Sequence, residues 1–291
     1  MLETLVIGIS LGCVYALVAV GFSLIYRTTG VVSFAQGAFV MIGGMFGGWL
    51  VMDHGLATPA AIAAGTGAGI LAGLLLATLV ILPLWRRNAS EFVVILGTLV
   101  FLVICENLVL NLLGSQPRSV SPLTPNLHIS VIGQQIPGQV LWVVLATVLI
   151  TTGLYLLLSR TRLGIAMRAC ANDRRTSRLM GISPTFVALT AFGLTAGIGA
   201  FAGALISPIQ VSAYNAAHAY NVSGFLSAVL GGLGDVRGAV AGGMVVGLIE
   251  AVVGVYVSST YVNLILLGLL LAILLLRPRG LLPGTRAVAV R

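Results

Sequence analysis

The chain has 291 residues, of which 58% are hydrophobic and only 8% charged, with a mean hydropathy of +1.11. A soluble domain carries about a quarter charged residues, so this composition excludes one and indicates a protein that lies in a membrane. The net charge of +8 is carried by arginine, because the sequence contains no lysine. Basic loops on the cytoplasmic side of a membrane explain that charge better than nucleic-acid binding does.

Apolar runs follow one another along the chain, most of them near the ~20 residues that cross a bilayer. They predict an all-α polytopic membrane protein with about eight transmembrane helices and one short, broken or re-entrant helix. The runs are Leu5–Tyr26, Val31–Met52, Pro59–Trp85, Glu91–Leu113, Val140–Leu158, Pro184–Ile206, Asn221–Leu233, Ala239–Val257 and Tyr261–Leu276.

The run Asn221–Leu233 is the short one. As a helix it reaches ~20 Å, whereas the hydrocarbon core is ~30 Å thick. We therefore expect a half-helix that is completed by the glycine-rich turn after it. A broken helix at membrane depth is tolerated only where protein or a water-filled cavity covers its backbone, so the break indicates a transport path.

The positions of the arginines predict the orientation of the spans. Thirteen of the fifteen share one side of the membrane if the N-terminus is external and the C-terminus cytoplasmic. Loop 114–139 then lies outside, and its weakly alternating stretch His128–Ile136 has a possible hairpin turn at Gly133. Loop 159–183 lies in the cytoplasm. Residues 1–291 are expected to form a single transmembrane domain.

The cytoplasmic loop carries six arginines between Arg160 and Arg178. Wound as one helix, it presents a mixed face with helical spacing, formed by Ile165, Ala169, Asn172, Thr176, Leu179 and Met180. Such a helix can lie on anionic lipid, fold against the membrane domain, or occupy a groove on a partner. The pattern alone leaves these alternatives open, together with a purely topological role for the arginines.

Residue types that are missing limit the chemistry of the chain. Without lysine it cannot contain a phosphate-binding loop of the Gly-Lys-Ser/Thr type, so any nucleotide hydrolysis that powers this protein must happen on another polypeptide. Three histidines, His54, His128 and His218, are predicted to lie in external connections without metal-ligand spacing. The three cysteines indicate neither a disulfide framework nor a metal site. We expect no enzyme and no cofactor or metal held by this chain.

Polar residues inside the apolar runs are candidates for a substrate path. Glu106, Asn107 and Glu250 lie in mid-span, where a carboxylate is costly and faces a cavity or a partner. Interhelical hydrogen bonding is the alternative, and we favour it for Glu250. Four further residues border the apparent helix breaks: Gln36, Gln210, Tyr214 and Asn221.

Two other classes of function are alternatives to a transporter that is driven by ATP. A proton-coupled secondary transporter of small polar solutes would use Glu106 or Glu250 as a proton relay. A channel or a purely structural subunit is the weaker alternative, because no selectivity filter or ring of charges is visible in the sequence.

Four blocks along the chain carry a family resemblance. They are Gly21–Gly37, the arginine-rich loop, Gly231–Gly238 and Arg277–Leu282. In this order they resemble the permeases of the branched-chain amino acid ABC uptake family. Residues 33–38 depart from the family pattern: it often reads Asn-Phe-Ala-His-Gly-Glu, whereas this chain reads Ser-Phe-Ala-Gln-Gly-Ala, so that the common acidic position is an alanine, Ala38.

The resemblance implies a permease subunit that imports small hydrophobic, branched-chain amino acids, or a related amide or carboxylate, across the bacterial inner membrane. Its implied partners are a homologous second permease, two cytoplasmic ATPases that bind ATP and Mg, an external substrate-binding protein and membrane lipid, with no nucleic acid.

The resemblance also implies that the arginine-rich loop inserts a short helix into a cleft on the ATPase. The contacting residues would be Arg168, Ala169, Asn172, Asp173, Arg174, Arg175, Thr176, Arg178, Leu179, Met180 and Gly181. The complete set of candidates for the substrate path is Ser33, Phe34, Gln36, Gly37, Glu106, Asn107, Gln210, Tyr214 and Asn221.

Overall fold

The computed structural model describes residues 2–125, 127–131, 134–258 and 261–276. Most of them are helical. The elements are, in chain order, α1 (Leu2–Thr29), α2 (Gln36–Met52), α3 (Thr58–Leu76), a π-helical segment (Ala77–Ile81), α4 (Leu82–Arg86), α5 (Glu91–Leu113), β1 (His128–Val131), β2 (Gln134–Pro137), α6 (Gln139–Arg160), α7 (Arg162–Asn172), α8 (Arg174–Leu179), α9 (Pro184–Ile206), α10 (Ala216–Gly231), α11 (Val236–Tyr256) and α12 (Val262–Leu276).

Six of the described helices are long and apolar enough to cross a membrane. They are α1, the continuous helix Thr58–Arg86 that joins α3 to α4, and α5, α6, α9 and α11. Helix α2 and the stretch Leu264–Ile273 of α12 are apolar but shorter. These lengths and compositions confirm a helical, polytopic membrane protein. The fourth block of the family resemblance, Arg277–Leu282, lies outside the described residues.

A small β-hairpin interrupts the helical chain in the connection after α5. Strand β1 pairs antiparallel with β2, and Ile129 stands opposite Ile136. The weak alternation in the sequence predicted this hairpin, which is the exception to the all-α class. The predicted turn residue Gly133 lies outside the described residues.

Arg118 fastens the same connection to the rest of the molecule. It exchanges two backbone hydrogen bonds of 2.9 Å with Ser212, in the connection between α9 and α10. Its guanidinium lies 2.8 Å from the Asp53 carboxylate, just after α2, and also donates to the Leu113 carbonyl at 2.8 Å. The connection is therefore anchored at three separate places on the helical bundle.

Glycine lets the central helices meet backbone to backbone. Helix α1 packs against α9, α10 and α11. A Cβ atom added at Gly247 of α11 would meet the backbone of Gly12 in α1, and one added at Gly203 of α9 would meet the Val40 carbonyl in α2. Small residues at helix crossings permit this close approach in a membrane.

Two predicted spans begin five residues away from their predicted starts. Helix α2 begins at Gln36 instead of Val31, and residues 30–35 before it are not helical. Helix α10 begins at Ala216, five residues before the predicted start at Asn221, because three of the five added residues are alanine, which strongly favours a helix. His218 is therefore part of α10, and the prediction that it lies in an external connection is wrong.

The arginine-rich loop forms two helices, so the prediction of one continuous helix is wrong. The break falls at Asp173, whose backbone is extended, with φ −155° and ψ 115°. Its carboxylate accepts a hydrogen bond of 2.5 Å from the Thr176 hydroxyl, and its carbonyl accepts one of 3.1 Å from the Ser177 N–H. Aspartate offers the backbone such a start for a new helix, and α8 begins directly after it.

Candidate functional site

The non-helical segment before α2, residues 30–35, is largely buried and is called the break below. Side chains from two distant helices form hydrogen bonds to the backbone at this break. The Phe34 N–H donates to the Thr98 hydroxyl of α5 at 3.0 Å. Asn221 of α10 donates its Nδ2–H to the Phe34 carbonyl at 2.5 Å and accepts from the Gly37 N–H through Oδ1 at 2.8 Å. The first turn of a helix has unpaired N–H groups, and Ala35 cannot cap them with its own side chain. A residue far away in the sequence therefore supplies the cap.

Unpaired polar side chains lie at this break. Gln36 is fully buried, and neither its Oε1 nor its Nε2 has a hydrogen-bond partner among the described residues. The Ser33 hydroxyl is likewise buried without a partner. Gln36 packs against Gly21 of α1, where an added Cβ would stand 2.7 Å from Oε1. Because buried polar groups are normally paired, these groups and the positive end of the α2 dipole can receive the polar part of a ligand.

Three phenylalanines from three segments meet beside the break. The Phe34 ring centroid lies 6.0 Å from that of Phe22 in α1 and 5.2 Å from that of Phe225 in α10. The Phe22 and Phe225 centroids are 5.8 Å apart. The three rings form an apolar cluster next to the polar groups of the break. Phe22 lies within the Gly21–Gly37 block, whereas nothing in the sequence singled out Phe225.

Glu250 belongs to a buried polar cluster between α1, α10 and α11. Its carboxylate accepts a hydrogen bond from the Ser223 hydroxyl at 3.3 Å and lies near the side chain of Tyr15. The ring of Tyr220 lies 6.4 Å from that of Tyr15. These contacts join three helices, as expected for the interhelical hydrogen bonding that the sequence favoured for Glu250.

Glu106 and Asn107 are not part of the break. Glu106 pairs with His218, whose Nε2 lies 3.1 Å from Oε2, and this pair connects α5 to α10. Asn107 is exposed and donates to the Val103 carbonyl of its own helix at 2.8 Å. The sequence placed both residues in one path with Gln36, but neighbouring positions on a helix point in different directions.

Gln210 and Tyr214 lie in the connection between α9 and α10. Gln210 is exposed, and its N–H donates to the Ile206 carbonyl at 2.9 Å. Tyr214 is half-buried against a cluster that includes Leu102 and Met45. Ser212, between them, contacts α2 so closely that a Cβ added at Gly44 would meet its hydroxyl. The connection therefore packs along α2 beyond the break.

The arginine-rich loop buries one side of α7 and exposes apolar residues elsewhere. Gly164, Met167 and Cys170 are the buried residues of α7, and Arg168 donates to the Leu158 carbonyl at 2.5 Å. Beyond the break, Leu179 and Met180 are 89% and 76% exposed. A shallow groove between the start of α7 and the start of α9 adds to this surface. Most of its lining residues are apolar, and Arg162 and Ser183 are the polar ones; the others are Leu163, Ile165, Ala166, Gly181, Ile182, Phe186 and Val187.

The remaining predicted residues of the loop lie at its surface. Gly181 ends α8 with φ +81°, a left-handed conformation that favours glycine. Ala169 is half-buried, and the others whose side chains are described are exposed: Asn172, Asp173, Thr176 and Arg178. Arg174 and Arg175 belong to α8 by their backbone, but their side chains lie outside the described part of the structure.

The turn between α10 and α11 is attached to the helix that leads into this loop. The Arg237 guanidinium lies 4.5 Å over the Tyr155 ring centroid, and its Nη2 donates to the Tyr155 hydroxyl at 2.7 Å. Tyr155 is in the last turns of α6, directly before the arginine-rich loop. The Gly231–Gly238 block and the loop therefore lie at the same end of the bundle.

Comparison with known proteins identifies the family. Residues 4–275 match the family described as "Branched-chain amino acid transport system / permease component". The chain belongs to this family. It is therefore a membrane-spanning transport permease component and not an enzyme.

Individual relatives cover nearly the whole chain. The high-affinity branched-chain amino acid transport system permease protein BraD of Pseudomonas aeruginosa is 30% identical over 97% of this chain and 95% of its own length. The LivH permease protein of Escherichia coli is 28% identical over 94% of this chain and 93% of its own. A different permease protein, LivM of Salmonella typhimurium, is 32% identical over 48% of this chain and 34% of its own length. No solved structure gives a significant match.

Proposed function

We propose that this chain is one of two permease subunits in an ABC importer for branched-chain amino acids in the bacterial inner membrane. Two cytoplasmic ATPases hydrolyse ATP with Mg, and an external binding protein delivers the substrate. Relatives named as branched-chain amino acid permeases, matched along almost their entire length, support this substrate class. A related amide or carboxylate remains the alternative cargo.

The proposed topology has an external N-terminus and a cytoplasmic C-terminus in a single domain, 1–291. Eight helical segments cross the membrane: α1, α2, Thr58–Arg86, α5, α6, α9, α11 and α12. Helix α10 is a further, short crossing, since its 16 residues reach about 24 Å. The bond between Arg237 and Tyr155 supports this arrangement, because it brings the turn after α10 to the end where the arginine-rich loop begins.

The break before α2 is the proposed recognition point for the main-chain groups of the amino acid. A half-helix N-terminus within a transporter favours the substrate carboxylate, and Gln36 and Ser33 carry unpaired polar atoms there. Phe34, Gly37 and Asn221 hold the break in shape. Gln210 and Tyr214 lie along the approach from the α9–α10 connection.

The arginine-rich loop, residues 159–183, is the proposed contact with the ATPase, and its exposed apolar side chains are the observation that carries the proposal. Leu179 and Met180 are almost fully exposed at the end of the bundle where α6 ends. A short apolar protrusion directly after Arg178 fits a cleft on a protein partner. The contacting stretch runs from Arg168 to Gly181, including Asp173, where the two helices meet.

A docking test uses Leu179→Glu, with Leu127→Glu in the external connection as the matched control for an exposed leucine. We expect Leu179→Glu to reduce co-purification of the ATPase at least tenfold and Leu127→Glu to leave it unchanged, with both variants inserted in the membrane. Equal co-purification of the two variants would show that the loop does not hold the ATPase.

A transport test uses proteoliposomes that contain both permeases and the ATPases. Uptake of labelled leucine should require internal ATP and the external binding protein. The Glu106–His218 pair favours the rival function, a proton-coupled secondary transporter, because it places titratable groups in a span. Uptake by this chain alone, driven by a proton gradient, would overturn the ABC proposal and establish the rival.

A further inference from the structure

One face of helix α5 points away from the rest of the chain and combines large apolar side chains with carboxamides. Its exposed side chains are mostly large and apolar, among them Val100, Ile104 and Leu108. On the same face stand two exposed carboxamides, Asn107 and Asn111, one helical turn apart.

The carboxamides cannot satisfy their hydrogen bonds within the helix. The Asn107 Nδ2 donates to the Val103 carbonyl, and the Asn111 Nδ2 donates to the Asn107 carbonyl, both at 2.8 Å. Each side-chain amide also has a second N–H and a carbonyl oxygen, and these make no hydrogen bond within the described residues. Lipid tails offer no partner to such groups, which are costly in hydrocarbon.

The Glu106–His218 pair lies at the edge of the same face. The His218 side chain is 63% exposed, while Glu106 is 13% exposed. The second carboxylate oxygen of Glu106, Oε1, is buried without a partner among the described residues. The pair therefore leaves hydrogen-bonding capacity on both its members.

Two other outward faces differ from that of α5. On the helix Thr58–Arg86 the exposed residues include Leu71, Leu75 and Leu79. Thr78 is also exposed, and its hydroxyl donates a hydrogen bond of 2.8 Å to a carbonyl of its own helix. Helix α6 exposes Leu145 and Leu149, and the polar residue on this face is Thr152, which has a hydroxyl and no carboxamide. Such faces are compatible with lipid, whereas the unpaired amides of α5 need a polar partner.

We propose that the second permease subunit covers the α5 face formed by Val100, Ile104, Asn107, Leu108 and Asn111, with His218 at its edge. Asn107 lies about 9 Å before the end of α5, within the membrane, where neither a cytoplasmic ATPase nor an external binding protein reaches. A homologous membrane helix offers both apolar contact and hydrogen bonds to amides. The inference rests on the proposed function, which supplies the second permease.

A photo-cross-linking experiment tests this contact in the assembled transporter. Asn107 is replaced by benzoylphenylalanine, with Leu79 and Leu149 replaced in the same way as controls on the lipid-compatible faces. This chain, a second copy of it and the homologous permease carry three different tags. We expect at least tenfold more adduct with one of the two tagged permeases from position 107 than from either control position.

A second measurement uses Asn107→Leu, which removes only a bond within α5. Native electrophoresis should show several-fold less permease pairing, Asn107→Gln should restore it, and Thr78→Val should not change it. Adducts only with lipid at position 107, or adducts with a permease from a control position at equal yield, would overturn the interface.

The two proposals can fail separately. If the ATPases co-purify and ATP drives leucine uptake but position 107 gives no permease adduct, the interface is wrong and the proposed function stands. If position 107 gives the adduct but no ATP-driven uptake occurs, the interface stands and the importer function is wrong. If the permeases do not pair at all, both proposals are wrong.

Discussion

Asn221 shows how a single side chain can stabilise a break between two helices inside a membrane protein. Its amide acts as donor and acceptor at once, to the Phe34 carbonyl and the Gly37 N–H. Backbone groups without partners cost several kcal/mol in hydrocarbon, on the order of 4–8 kcal/mol without any hydrogen-bonding solvent. Asn221 lowers that cost, while the buried side-chain polar atoms of Gln36 and Ser33 have no hydrogen-bond partner among the described residues.

Replacing Asn221 with leucine should destabilise the protein and abolish transport. The change leaves a buried N–H and a buried carbonyl unpaired, at about 1–3 kcal/mol each. Thermal unfolding in detergent should therefore begin several degrees lower than in the parent protein. Thr66→Val is the matched control, because the Thr66 hydroxyl bonds only to the Ile62 carbonyl of its own helix. Equal unfolding temperatures for the two variants would contradict this role of Asn221.

The sequence singled out Asn221 but could not reveal what it bonds to. Its position beside a short apolar run indicated a break, and the run was identified from hydropathy alone. The partner residues are 184 and 187 positions away in the chain, so only the packing of α10 against α2 brings them together.

At the level of whole elements, the crossing of α2 and α9 depends on glycine on both helices. A Cβ added at Gly43 of α2 would meet the Ala200 backbone, and one at Gly203 of α9 would meet the Val40 backbone. Backbone atoms cannot rotate out of the way as side chains can. The crossing is therefore a fixed feature that positions the start of α2 against its neighbours.

Gly43→Ala and Gly203→Ala should each destabilise the fold, by about 1–3 kcal/mol as in other overpacked interiors. Gly67→Ala is the control, because an added Cβ meets nothing within 4 Å there. That change should be neutral or stabilising by up to about 1 kcal/mol, since alanine favours the helix. Chemical unfolding in mixed micelles measures the difference, and a common effect at all three positions would refute it.

The arginine-rich loop shows why the hydrophobic periodicity overestimated the length of one helix. The helical spacing from Ile165 to Met180 is present in the sequence, but it continues across a residue that competes for backbone hydrogen bonds. Asp173 accepts from Thr176 and from Ser177, and so it starts α8 instead of continuing α7. The docking proposal does not depend on one continuous helix, because its exposed apolar residues, Leu179 and Met180, both follow Asp173.

At the scale of the whole molecule, the proposed topology makes a direct prediction about accessibility. Cys13, Cys105 and Cys170 are all buried, so a cysteine placed at an exposed position is the reactive one. Ser121→Cys in the external connection should react with a membrane-impermeant maleimide in intact cells. Ser159→Cys at the end of α6 should react only after the membrane is opened. Reversed labelling would show that the chain is inserted the other way.

The sequence by itself determined the membrane class, most of the spans, the basic loop and the family. Each of these depends on local composition or on short motifs, which are read along the chain. Only the tertiary structure decided that α2 starts at Gln36, that Asn221 caps it, and that Glu106 pairs with His218 while Asn107 faces outward. These features depend on which helix faces meet, and contacts between residues more than a hundred positions apart leave no periodic signal in one sequence.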